Sequence, residues 1–464
     1  MPIWVDVKAG RGAAAGGQST VTVRVTGLAG DTPVEARLRV MLRVFNFSIP
    51  LEQSLPNVWG NQEYPYTVPN YGAHPATPAG GGPPGYSAGG LARALQLLGE
   101  HRISVNDIYR TQAAGSVAGN PPPFDSNRGN GTLAWPSLSD PAALRRMRRS
   151  TGTTWWNLAN LEPTTNTSAR MSFDAFLPRW LQMANTSRRL AAAAGFSDAQ
   201  TSLYLFDETM DLALLTKAAT AAKRAFPTVP VMSTARDPSF GIDTCVDISV
   251  VHMDVYSAPA NAAAIARARA AGKQVWWYVS CCAYHPAGVA LDFFIEYPAL
   301  RSRLLGGAAP WKFNVEGFLY YQVAGWFCDK SKASADTRKN CYNGRFVDEH
   351  GGPRTAWKPY GAGGFPDGDG EILAPGIAAP LATVQVKNWR DGSEDYEYLT
   401  LLKQRIEAAE AGGASVPASA VAAMRVPADV LTNLTSFSDD PTALEEWRMR
   451  IAAAIELVGE APIA

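Results

Sequence analysis

The first fifty residues alternate apolar and polar positions. TVTVRVTG and EARLRVMLRVF carry their apolar side chains at every second place and are divided by AGDTP, a turn signal. This predicts an antiparallel pair belonging to a partial β-sandwich over residues 1–50. SIPLEQSLP, with Pro50 and Pro56, reads as a connector. From residue 51 the period changes. Short apolar runs at 55–60, 102–107, 153–159, 202–208, 229–234, 248–256, 273–280 and 316–323 read as strands. Between most of them lie stretches such as LARALQLLGEH, LPRWLQMANTSRRLAAAAG, LALLTKAATAAKRAF and NAAAIARARAAG, with apolar residues three and four apart, the period of an amphipathic helix.

Eight strands in alternation with helices predict an α/β protein whose parallel sheet closes as a (β/α)8 TIM barrel over residues 51–412. An open doubly wound sheet is the structural rival, but no GxGxxG follows an early strand. VKNWRDGSEDYEYLTLLKQRIEAAEAG turns helical and closes the barrel. Residues 413–464 then read as a C-terminal helical tail, whose last helix takes Asp440 as N-cap and Pro441 as its first position. Three loops rich in Gly and Pro, near 61–91, 111–136 and 328–380, each follow a strand. Loops of that length gathered on one barrel face favour a built-up cleft.

Composition narrows the class of ligand. Lys plus Arg and Asp plus Glu both number 42, so the formal charge is zero. Neither a nucleic-acid footprint nor a polybasic membrane patch is expected. No apolar run reaches the ~18 residues of a membrane span. Thirteen Trp suit a cleft that stacks flat, weakly charged ligands, and they equally suit the interior of a large domain. The five cysteines form no CxxC pair, which argues against structural zinc; Cys328 and Cys341 flank a polar loop and could pair. Glycosylation sequons begin at Asn46, Asn130, Asn166, Asn185 and Asn433, and matter only for a chain secreted by a eukaryote. MPIWVDVKAGRG has no signal-peptide pattern and reads as a strand already under way, as in a chain truncated at its start. A truncated chain fits a secreted or periplasmic protein; otherwise the reading is cytoplasmic, and the oligomeric state is open.

Candidate chemistry lies where the strands end. In SLYLFDET, Asp207 and Glu208 close the fourth barrel strand, the end at which barrel enzymes gather catalytic groups. A carboxyl pressed against aromatic rings keeps its proton and serves as a general acid, whereas one held by donors stays ionised, so two neighbouring acids can take two roles. The rival reading makes Asp207 the cap of the following helix and leaves Glu208 solvated. Asn157, His252, Asp254 and Tyr256 end other strands, as do Trp277, Tyr278 and Tyr321, and each of these could equally be a satisfied structural group. Trp276 and Trp277 alternate, so one lines the interior or cleft while the other packs under a helix, and the sequence leaves the choice open. HExxH, a Ser-His-Asp order, a Walker loop and a dense metal-ligand cluster are all absent from the sequence, so no metal or cofactor is expected.

Several stretches, taken in order, resemble one family. WVDVKAG with TVTVRVTG, FNFSIPLEQSLPNVWG, HRIS, LYLFDET, WWYVSCCAYHP, GFLYYQVAGW, DGDGEILAPG and RDGSEDYEYL follow the pattern of the barrel proteins related to glycoside hydrolase family 123, the domain of unknown function 4091 group. The resemblance runs over about 400 residues. It implies a retaining exo-β-N-acetylgalactosaminidase that works by substrate-assisted catalysis, outside the usual two-carboxylate scheme. Carried onto this chain, it makes Glu208 the general acid and then base. Asp207 would orient the 2-acetamido group, whose carbonyl oxygen attacks the anomeric carbon. Tyr256, Tyr278 and Tyr321 become candidates for bonding the sugar, and Trp277 and Trp326 candidates for stacking on it. Tyr321 stands where Trp is expected and Ala374 where relatives often carry Tyr, at the rim that reads sugar identity. A same-fold hydrolase of a different sugar, and a carbohydrate-binding relative without activity, are the alternatives.

Overall fold

The computed structural model describes residues 6, 12–29, 32–61, 88–106, 108, 136–161, 173–280, 291–294, 297–324, 369–370, 372–374 and 379–459. The chain divides into two compact units. One comprises Met1–Pro50, Glu397–Pro427 and Thr442–Ala464, the other Leu51–Tyr396 and Ala428–Pro441. The tail expected as one piece is thus shared between them.

In the first unit, strands β1 (Gln18–Ala29) and β2 (Thr32–Arg43) pair antiparallel. The register sets Val21 opposite Val40, Val23 opposite Leu38 and Val25 opposite Ala36. Directly opposed residues share a face, so the alternation seen in the sequence gives the hairpin one apolar side. Phe45 and Phe47 stack at 5.4 Å and both meet Tyr398 edge-on. Arg43 bonds Glu456 at 2.7 Å. Among the described residues, this antiparallel hairpin lies where the partial sandwich is expected.

The second unit is the α/β barrel. Seven parallel strands run in the order β3-β9-β8-β7-β6-β5-β4. They are β3 (Asn57–Trp59), β4 (Trp156–Asn160), β5 (Thr201–Tyr204), β6 (Val231–Ser233), β7 (Ile248–His252), β8 (Gln274–Val279) and β9 (Phe318–Tyr320). Helices between them include α1 (Ala88–Glu100), α2 (Pro141–Thr151), α3 (Phe173–Ala193), α4 (Leu212–Ala225), α5 (Met253–Ser257), α6 (Ala262–Ala270), α7 (Leu300–Gly306) and α8 (Ala308–Lys312).

The eighth expected strand, at 102–107, is not a hydrogen-bonded strand. Arg102–Asn106 instead fills the gap between β3 and β4, held by one backbone bond, from Asn61 N to Asn106 O at 3.0 Å, and otherwise by side chains. Ser104 N donates to Asn57 Oδ1 at 3.1 Å, and Val105 N to Thr153 Oγ1 at 3.2 Å. Asn106 spans to the other side, its Nδ2 donating to Trp155 O at 3.2 Å while its Oδ1 accepts Asn157 N at 3.0 Å. Ile103 and Val105 are fully buried. The side chains of Asn57, Asn106 and Thr153 take most of the backbone partners a ladder would have used, so the segment closes the gap without being a regular strand.

The barrel interior is filled by Val58, Trp155, Tyr204, Met232, Ile248, Val250, Trp276, Tyr278 and Leu319. Gly317 lets Trp276 into this space: a Cβ there would lie 2.1 Å from the indole. The long helix α9 (Val384–Ala411) begins against the barrel, with Trp389 packed on Trp59, Phe293 and Phe318. Arg303 and Asp395, both almost fully buried, pair through two hydrogen bonds of 2.7 and 3.3 Å. Helices α10 (Ala418–Ala423) and α11 (Pro441–Val458) follow, the last beginning at Pro441 as its sequence predicts.

Candidate active site

Strand β5 loses its ladder just before the two acids. Leu205 N still donates to Met232 O at 2.8 Å. Beyond it, side chains at the end of β6 replace backbone partners. Ser233 Oγ donates to Phe206 O at 2.7 Å, and Glu208 N donates to Thr234 Oγ1 at 3.0 Å. Glu208 has a φ of 42°, in the left-handed region that a residue with a Cβ occupies only when its surroundings hold it there. This local turn breaks the strand rule that neighbours point to opposite faces. Asp207 and Glu208 both reach groups that project from the barrel interior.

Their surroundings differ. Asp207 Oδ1 accepts from Thr234 Oγ1 at 2.7 Å and from Tyr204 Oη at 3.0 Å, and those two hydroxyls lie 2.8 Å apart. Two donors on one oxygen fix the direction of the carboxylate. Glu208 is more open, with 42% of its side chain exposed. Its Oε1 accepts from Tyr278 Oη, and its Oε2 lies 3.4 Å from an Arg236 guanidinium nitrogen. Burial, together with the Glu208 carboxylate, pushes the Tyr278 hydroxyl far above the ordinary tyrosine range, so Tyr278 remains a donor at any working pH. The cap of helix α4 is Asp211, which accepts Leu214 N at 2.9 Å, so the rival reading of Asp207 as that cap does not hold.

The other expected site residues divide. Tyr278 joins the acid pair directly. His252 packs edge-on against it, with ring centroids 5.2 Å apart, and accepts Asp254 N on Nδ1 at 3.3 Å as the cap of α5. Its Nε2 is buried and has no hydrogen-bond partner among the described residues. Tyr321 is half-buried past Leu319, and Gly370 approaches it so closely that a Cβ would lie 2.5 Å from its hydroxyl.

Asn157 is fully buried and acts as a strand staple, its Oδ1 accepting Tyr204 N at 3.2 Å. Tyr256 is turned to the outer layer, where its hydroxyl donates to Phe313 O at 2.9 Å and accepts from Arg269 at 2.7 Å. Trp277 packs beside it, 5.3 Å from Tyr256 and 6.1 Å from Phe313 between centroids, with no exposure. The expectation that Tyr256 and Trp277 face the sugar is therefore corrected: Trp276 fills the interior, and its neighbour lies under the helices. Trp326 falls outside the described residues, as do Cys328 and Cys341 and most of the three long loops.

Sequence reasoning missed Thr234, Tyr204 and Arg236. Thr234 directly follows β6, the strand next to β5, and Tyr204 ends β5 itself, so their positions were the signal that could have found them. Arg236 carried no such signal. A further buried acid, Asp292, also escaped notice. Among the described residues, no group of three or more His, Cys, Asp or Glu is arranged to hold a metal ion, and no helix is long and apolar enough to cross a membrane.

The family model described as glycoside hydrolase 123, catalytic domain, matches residues 161–402, which span β5 to β9 and the acid pair. Among solved structures, a family 123 glycoside hydrolase from Clostridium perfringens, studied for the details of glycolipid glycan hydrolysis, superposes with a TM-score of 0.46 at 10% identity. That superposition covers 96% of this chain and 76% of the other. No curated protein matches the sequence.

Proposed function

The chain belongs to glycoside hydrolase family 123, and from that premise we propose that it releases a terminal β-linked N-acetylhexosamine, above all N-acetylgalactosamine, with retention and by substrate-assisted catalysis. A glycoside hydrolase takes a carbohydrate substrate. The observation that carries the finer reading is the unequal setting of two adjacent acids at the end of β5. Asp207 has one oxygen gripped by Thr234 and Tyr204. Glu208, with 42% of its side chain exposed, has one oxygen on Tyr278 and the other 3.4 Å from Arg236.

Each setting suits one task. The ionised Asp207 accepts the N–H of the substrate's 2-acetamido group and turns its carbonyl oxygen towards the anomeric carbon. As that oxygen forms its bond to carbon, the glycosidic bond breaks and the leaving oxygen takes the proton of Glu208. The positive charge that develops on the ring and in the oxazolinium is offset by the fixed anion of Asp207, a preorganised electrostatic contribution. Water then adds to the anomeric carbon, gives its proton to Glu208, and reopens the acetamide. Tyr278, locked as a donor, holds Glu208 in register through both steps. Tyr321 and the His252–Asp254 turn are the remaining candidates for the sugar's hydroxyls.

Nitrophenyl β-N-acetylgalactosaminide, β-N-acetylglucosaminide and β-galactoside separate the readings. Turnover confined to the acetamido sugars is expected. Turnover of the plain galactoside would rule out participation by the acetamide, and binding of a sugar without turnover would favour the inactive relative.

A further inference from the structure

The second oxygen of Glu208 raises a question of charge. Oε1 is taken by Tyr278, so Oε2 is the oxygen left to protonate the leaving group. Arg236 stands 3.4 Å from that oxygen. Arg236 is fixed at its backbone, where its N–H donates to Thr209 O at 3.1 Å. Its neighbour Asp237 knots the following loop by accepting Ser239 N at 2.8 Å, Ser239 Oγ at 2.7 Å, Gly241 N at 2.9 Å and Thr244 Oγ1 at 2.7 Å. The Arg236 side chain therefore leaves a corner tied down at its backbone and is 58% exposed. Among the described residues, Glu208 is its ion-pair partner.

To act as an acid, Glu208 must be protonated, and a neutral carboxyl no longer balances the guanidinium. At that moment an uncompensated cation lies beside the space of the first leaving-group unit. An anion on that unit restores the balance; a neutral unit does not. After proton transfer Glu208 is again anionic and competes for Arg236, which helps the leaving group depart.

Resting on the reading of Glu208 as the acid, we propose that Arg236 forms a leaving-group subsite for an anionic sugar, one bearing a carboxylate or a sulfate ester next to the scissile bond. An exposed arginine pair is modest in strength, so the preference is about three- to fivefold in kcat/KM and is carried mainly by KM. It also fades with salt, because the charges are open to solvent and are screened over ~3 Å at about 1 M ionic strength.

The test uses β-N-acetylgalactosaminyl disaccharides in matched pairs: a uronate against its methyl ester, and a sulfated against an unsulfated galactose. The ratio of kcat/KM within each pair is read for the full chain, for Arg236→Gln and for Arg236→Lys. Any general effect of the substitution on the acid cancels in that ratio. Preference for either anion, reduced in Arg236→Gln, partly kept in Arg236→Lys and weakened by salt, supports the subsite, and the pair that shows it identifies the anion. Equal rates within both pairs, or a preference that survives in Arg236→Gln, overturns it. Turnover of nitrophenyl β-N-acetylgalactosaminide separates the two claims. If that substrate is cleaved and the pairs are equal, the subsite alone fails. If it is not cleaved, the parent reading fails.

Discussion

Two sets of acids sit at the same end of this barrel, and they have opposite characters. Asp207 and Glu208 are part-exposed and are met by hydroxyl donors and a guanidinium. Asp292 and Asp369 are each 1% exposed and lie close to Tyr320, whose hydroxyl donates to Asp369 Oδ1 at 3.3 Å. Asp292 Oδ1 accepts the adjoining Phe293 N–H at 2.7 Å, while its buried Oδ2 has no hydrogen-bond partner among the described residues. Burial, then the charge of Asp369 and to a lesser degree that of Asp254, holds the Asp292 carboxyl protonated well above the usual carboxylate range. The same surroundings push the Tyr320 hydroxyl up. A carboxylate becomes useful for chemistry when donors compensate its charge and a path to solvent remains. Without these it is a neutral core group whose cost to the fold depends on pH.

That contrast can be broken in order of size. On the proposed mechanism, Glu208→Gln lowers kcat on substrates with poor leaving groups by about 10²–10⁴-fold, and much less on activated aryl glycosides, which leave without a proton. Full activity on both would remove Glu208 from its role. Asp207→Asn costs about 10²–10³-fold on both kinds of substrate, since the lost charge supports the oxazolinium whatever the leaving group; a loss confined to poor leaving groups would make it an acid instead.

Thr234→Val deletes the hydroxyl shared by both acids and lowers kcat about tenfold or more, the scale of a hydrogen bond to a charged group. Thr234→Ser restores most of the loss if the hydroxyl is what matters. Should serine fail where valine fails, packing of the methyl group is the cause.

The smallest effect belongs to the buried set. Asp292 titrates higher in the folded protein than its ordinary value of about 4 in the unfolded chain. Between those values the folded state holds a proton the unfolded chain has released, so stability falls as pH rises through that window. Asn does not titrate. Asp292→Asn therefore raises the thermal midpoint by about 2 °C near pH 8, and by less near pH 4. A difference that does not change with pH would mean that Asp292 is not carrying the proton.

Much of the barrel was legible because its strands end in turn residues and its helices keep their period. Faces were harder to read. Strands of a parallel barrel are buried on both sides, so hydrophobicity does not say which side is inside. Trp276 and Trp277 are equally buried, and only the inward positions of Val250 and Tyr278 show that Trp276 belongs with the interior. Tyr256 went astray for a related reason: β7 ends at His252, and helix α5 turns the tyrosine away from the mouth. The acid pair was legible from its place on β5. What holds it was not, because Thr234 comes from another strand and Glu208's left-handed backbone has no signature in its residue type.

The stave at 102–106 is fastened by pegs where its neighbours are zipped. Breaking one side-chain contact there loosens a single plank and leaves the adjoining ladders intact, so the amide protons of Ser104 and Val105 are expected to exchange ahead of those in the zipped strands β7 and β8, which hydrogen exchange would measure.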